Sequence, residues 1–125
     1  MTLLNVTRVL PLVLFVGALP AQAMTAKECQ TMQAELASQH KSLTASYEEL
    51  KRMGEQADEV GDEFVAAKEE SGLSPVAAER AEVLKAEFET LQNAVDDKNS
   101  ELTERSRSFT QKRTSFQVSC GAYIK

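Results

Sequence analysis

Ser71-Gly72-Leu73-Ser74-Pro75 separates two long stretches of helical periodicity, Thr25–Glu70 and Pro75–Val118, and its reading decides the fold. Gly72 is expected as the left-handed residue that stops one helix, and Ser74-Pro75 as the N-cap and first-turn proline that start the next. In the first stretch Cys29, Leu36, Leu43, Leu50, Ala57 and Phe64 recur every seven residues, and in the second Ala81, Phe88, Val95, Leu102, Phe109 and Phe116 do the same. An apolar heptad sustained over this length predicts a coiled-coil seam rather than strands. With only residues 71–75 to join them, the helices must run antiparallel. The expected fold is all-α: two long helices, about residues 25–70 and 75–118, in an antiparallel coiled-coil hairpin.

The second seam position follows from the first. Met32, Gln39, Ser46, Met53, Val60 and Ala67 occupy it in the first helix, and Leu84, Leu91, Lys98, Arg105, Lys112 and Ser119 in the second. Pairing residues whose numbers sum to about 148 brings Val60 to Phe88, Phe64 to Leu84 and Ser46 to Leu102, so that a large side chain often meets a smaller one, as interdigitation requires. The same register centres the turn on Ser74 and brings Cys29 beside Cys120. These are the only cysteines in the chain. An even pair in an exported protein reads as a disulfide, which here closes the open end of the hairpin. Thr25 followed by Glu28 predicts a capping box at the start of the first helix.

The N-terminus supplies the export argument. A short segment with one positive charge, Met1–Arg8, precedes an apolar run, Val9–Leu19, and the small-residue signal Ala21-Gln22-Ala23. That layout predicts a secretory signal peptide over residues 1–23, leaving residues 24–125 as one hairpin domain, periplasmic or secreted. The apolar run is shorter than the roughly 20 residues that span a bilayer, so no transmembrane span is expected after cleavage.

Within residues 24–125 lie all 19 acidic residues and 13 of the 14 basic ones, a net charge of −6. An acidic surface argues against nucleic acid as a partner. The charge is unevenly placed: residues 48–97 around the turn hold 15 acidic and 5 basic residues, and the rest of the domain holds 4 and 8. The rod has an acidic tip and a basic base, which predicts a partner chosen by one end. Lys98, Arg105 and Lys112 fall in the seam of the basic half, facing Leu50, Leu43 and Leu36. Their methylenes are expected to lie along the leucines with the charges in water, making this the weaker half.

The two flanks of the seam also differ. One carries glutamates on both helices, so that Glu49 is expected to oppose Glu101, and Glu63 to oppose Glu87, a mildly repulsive arrangement. Beside the seam, Gly54, Ala57 and Gly61 form a strip of small residues, continued across the partner helix by Gln92, Asn99 and Ser106. This is the candidate self-association surface, with a homodimer as the outcome. Leu73, an apolar residue in the turn, is the candidate tip contact.

No constellation for catalysis appears. His40 is the only histidine, so no catalytic triad or multi-histidine metal site can be assembled within the chain. Glu55, Asp58, Glu59, Asp62 and Glu63 recur at helical spacing, but a straight helix splays them apart, whereas hard cations need gathered oxygens. Neither enzyme activity, a cofactor nor a specific metal is expected. The expected function is an exported coiled-coil interaction or structural module that binds a protein partner. The alternative is a periplasmic holdase-type chaperone with helical arms: the outline resembles the arms of the periplasmic tentacle chaperones, although the chain lacks their strand-rich oligomerisation segment and shares no motif with them.

Overall fold

A computed structural model describes residues 24–123. Helix α1 spans Ala26–Glu70 and helix α2 spans Pro75–Cys120, followed by a 3-10 turn over Gly121–Tyr123. Helix α2 thus runs two residues beyond the expected end. At about 1.5 Å per residue, α1 alone makes a rod of about 68 Å. The signal peptide expected over residues 1–23 lies outside the described residues.

Both helix starts are built as their residues predict. At α1 the Thr25 hydroxyl accepts from the Glu28 backbone N–H at 3.2 Å, while the Thr25 N–H donates to Glu28 Oε2 at 2.7 Å. Two otherwise unsatisfied donors are thereby paired. At α2 the Ser74 side chain accepts from the Ala77 N–H at 3.1 Å, with Pro75 in the first turn, where its missing N–H costs nothing.

The stop of α1 differs from expectation. No described glycine has a positive φ, Gly72 included, and the cap is Ser71 in a right-handed helical conformation. The helix tightens instead of reversing hand. The Ser71 hydroxyl and N–H donate to the Lys68 carbonyl at 2.7 and 3.3 Å, and the Leu73 N–H donates to the Glu70 carbonyl at 2.9 Å. These three-residue bonds satisfy the last carbonyls without the left-handed residue. Ser74 then turns extended, and α2 returns antiparallel along α1.

The core is one stripe between two rods. Near the turn Ala67, Ala81 and Leu84 are buried, with Val60 and Phe64 packed against them. At the open end Cys29, Leu36, Phe116 and Cys120 form the second cluster, joined by Met24, Met32 and Phe109. The Cys29–Cys120 disulfide spans a sequence separation of 91 and closes the hairpin. Fold class, the position of the turn and the bridge agree with the sequence reading.

The heptad does not hold to the last turn. Lys112 and Ser119 are exposed, whereas Phe116 and Cys120, four apart, are buried. An α-helix of about 3.6 residues per turn drifts roughly 20° per heptad against a strict seven-residue repeat. By the end of α2 that drift has carried position 119 out of the seam and position 120 into it.

Reduction is expected to lower the thermal midpoint by several degrees, read by circular dichroism with and without reductant, because a loop this long is worth at most about 4–5 kcal/mol. Leu102, at 0% exposure the best-covered leucine, should cost about 2–5 kcal/mol on truncation to alanine. The glycines should part company. Gly54 has open space where a Cβ would go, so Gly54→Ala should stabilise by about 1 kcal/mol. At Gly61 the same atom would lie 2.9 Å from the Phe88 ring, so Gly61→Ala should gain less or lose.

Candidate functional site

Two regions combine charge with unusual placement: a polar layer across the middle of the rod and the turn end. In the layer, Lys98 has a side chain only 20% exposed, and its Nζ reaches Glu49 Oε2 on α1 at 2.9 Å and Glu101 Oε2 at 3.9 Å. Arg105 donates to Ser42 Oγ at 2.8 Å, to Ser46 Oγ at 3.1 Å and to Glu101 Oε1 at 3.1 Å. On helical spacing Leu102, fully buried, lies between these two cations along α2, four residues from one and three from the other.

One expectation changes. Glu49 and Glu101 do not repel one another, because Lys98 stands between them. The hydrogen bond and the charge of Lys98 hold the Glu49 carboxyl below its ordinary range. Burial is found in both halves: Leu36, Leu43, Leu102 and Phe116 are buried on the cationic side and Ala57, Ala67, Ala81 and Leu84 toward the turn, with partly buried apolar residues on each. Spacing alone placed Lys98 at a seam position but did not show that its charge would turn to the acidic flank. His40 stacks on Phe109 with ring centroids 5.9 Å apart.

The turn-side part of the rod carries several exposed apolar side chains as well as carboxylates. Leu73 is 83% exposed, Val76 76%, Val83 62% and Val65 56%. Glu69, Glu70, Glu79 and Glu82 lie among them in sequence and are exposed. Leu73 is thus where the sequence places it; Val76 and Val83, one heptad apart on the outer side of α2, were not singled out. Their signal is available in the sequence as valine at a position facing away from the seam.

The small-residue strip is divided by the fold. Ala57 is 2% exposed within the hairpin's own seam, and Gly61 lies under Phe88, which leaves Gly54 with open space. Among the described residues no three His, Cys, Asp or Glu side chains converge as metal ligands, and no helix is long and apolar enough to cross a membrane.

No family model, curated protein or solved structure matches this chain. The surfaces themselves therefore carry the functional reading.

The Lys98 layer gives a pH dependence with a definite sign. Glu49 is held below its unfolded value, so its contribution is fully present above the unfolded pKa and is lost as pH falls through the folded one. Glu28, lowered by its hydrogen bonds from Thr25, acts in the same direction. Urea midpoints should therefore fall between neutral pH and about pH 3. In Glu49→Gln the neutral-pH midpoint should be lower and the acid loss shallower. An identical pH profile in the variant would mean that the ion pair is not formed in solution.

Proposed function

We propose that this protein is an exported helical-hairpin interaction module that docks a basic protein partner on its turn end. The observation that supports this most is the exposure of Leu73 and Val76, at 83% and 76%, on a tip bordered by carboxylates. Scattered exposed apolar residues are ordinary on a protein surface, but Leu73 and Val76, three residues apart at the turn with Glu69, Glu70 and Glu79 nearby in sequence, have the composition of a contact site. Carboxylates around such a patch attract a basic partner from a distance and orient it, while the leucine and valines supply short-range affinity.

The rod shape suits that role. The tip stands about 65 Å from the bridged end, so a partner held there is kept well clear of whatever the open end contacts. A location outside the cytosol, periplasmic or secreted, is part of the same proposal and is compatible with the disulfide. The holdase alternative is supported less, since grip along the arms needs apolar surface there. Among the described residues, four of the seven large exposed apolar residues, Val65, Leu73, Val76 and Val83, lie in the turn-side half of the rod.

The test compares the oxidised protein with a Leu73→Asp, Val76→Asp double variant in capture from a periplasmic extract. A basic protein should be retained by the first at low salt and lost in the second, with equal helicity of both by circular dichroism. Equal capture by both would remove the tip from the contact. A third readout is aggregation of a chemically unfolded client. Suppression that survives the double substitution would favour the holdase instead.

A further inference from the structure

The flank of the seam that bears Gly54 and Gly61 differs from the opposite flank in charge and in relief. In heptad terms it comprises the positions beside the seam and the two outward of them. Within residues 48–97 these positions carry nine carboxylates, among them Asp58, Asp62, Glu82 and Glu89, against Lys51, Lys68 and Lys85. In the rest of the described chain the same positions carry Lys27, Lys41, Arg107 and Arg113, and no acid at all. The four acids of the basic half, Glu28, Glu35, Glu101 and Glu104, lie on the other flank. There Glu101 is already engaged by Lys98 and Arg105.

Of the four cations, Arg107 is held by Glu104 at 2.6 Å; Lys27, Lys41 and Arg113 make no ion pair among the described residues. The separation of charge is therefore strongest on this one flank, and its cations are mostly uncommitted.

The relief agrees. Near the tip, a groove lined by Phe64, Lys68, Ala78 and Lys85 runs into a second one lined by Gly61, Phe64, Val65 and Phe88. Phe64 and Phe88 remain half-exposed there. Near the open end a further hollow on the same flank is lined by Gln30, Gln33, Phe116 and Tyr123. Each rod thus offers a shallow apolar floor at both ends, with opposite charge around the two.

We propose that this flank pairs with the same flank of a second copy of the chain, the two rods lying antiparallel. A two-fold axis across the rod then sets the acidic tip half of each copy against the basic base half of the other. It also brings the Tyr123 end of one over the Phe64–Val65 groove of its partner. A parallel pair would oppose acid to acid along the tip. Antiparallel pairing produces a four-helix arrangement that covers the half-exposed aromatics, which a lone hairpin leaves wet. This contact is separate from docking at Leu73 and Val76 and does not depend on it.

Sedimentation equilibrium of the oxidised protein should give a dimer at low ionic strength. The association constant should fall by about tenfold or more between about 0.01 M and about 1 M salt, over which the screening length drops from about 30 to about 3 Å. Lys41→Glu with Arg113→Glu should yield a monomer of unchanged helicity, and Leu73→Asp with Val76→Asp should leave the dimer intact. Carbodiimide, which joins an amine to a carboxylate without a spacer, should link Lys27 or Lys41 to Asp58, Asp62, Glu82 or Glu89. Lys41 and Asp62 lie about 30 Å apart along one helix, so such links arise only between copies. The proposal is overturned by a monomer at every concentration reached, by a dimer that tightens with salt, or by one indifferent to Lys41→Glu with Arg113→Glu.

Discussion

Everything in this molecule depends on a hydrophobic stripe that neither helix can bury alone. An isolated helix of this length gains little from its own backbone; its stability comes from the apolar face it shares. Here that face is a seam one or two residues wide, in which Leu43, Leu84 and Leu102 are covered while Phe64 and Phe88 are only partly so. The hairpin turn makes the two stripes neighbours, and the disulfide keeps them so at the far end. Neither device would suffice without the seam, and the seam would be a weak bimolecular contact without them.

The polar layer at Lys98 and Arg105 looks like an interruption of that stripe, but it works with it. A cation in a seam must reach water or a partner; these reach Glu49, Glu101, Ser42 and Ser46. Their bonds run between the helices as well as along one, so a slip of register would leave them unpaired. That is a use of half-buried charge distinct from adding stability, since partly exposed ion pairs contribute little by themselves. Apolar layers tolerate sliding more readily than a guanidinium aimed at two hydroxyls.

The fold was largely legible because its signals are local and periodic. Thr25 with Glu28, Ser74 with Pro75, the two runs of apolar heptads and the symmetric cysteines each encode one feature within a few residues or at a fixed spacing. What escaped depends on continuous geometry. Gly72 fits a left-handed stop, yet the Ser71 hydroxyl satisfies the same carbonyl by another route. The drift that replaces position 119 with Cys120 accumulates over several heptads and is invisible at any one of them. Glu49 and Glu101 read as opposed because only flank positions were compared, whereas the deciding charge comes from the seam itself. The tip was legible at Leu73 by its place in the turn. Val76 and Val83 carry no such local signal, since a valine outside the seam is ordinary in a helix of this composition. Ala57 entered the small-residue strip by size, although its heptad position already assigned it to the seam.

The disulfide has a mechanical consequence. Cys29 and Cys120 stand near the two ends of the described chain, with a separation of 91 residues between them. A pull applied to the chain on either side of the bridge passes from one sulfur to the other and goes no further. The helices and the turn between them are a side branch off the line of tension. Stretched between two anchorages, the protein would behave as a very short link, while its rod stayed folded and free to swing. Loads that unravel ordinary helical domains from their ends would leave this one slack.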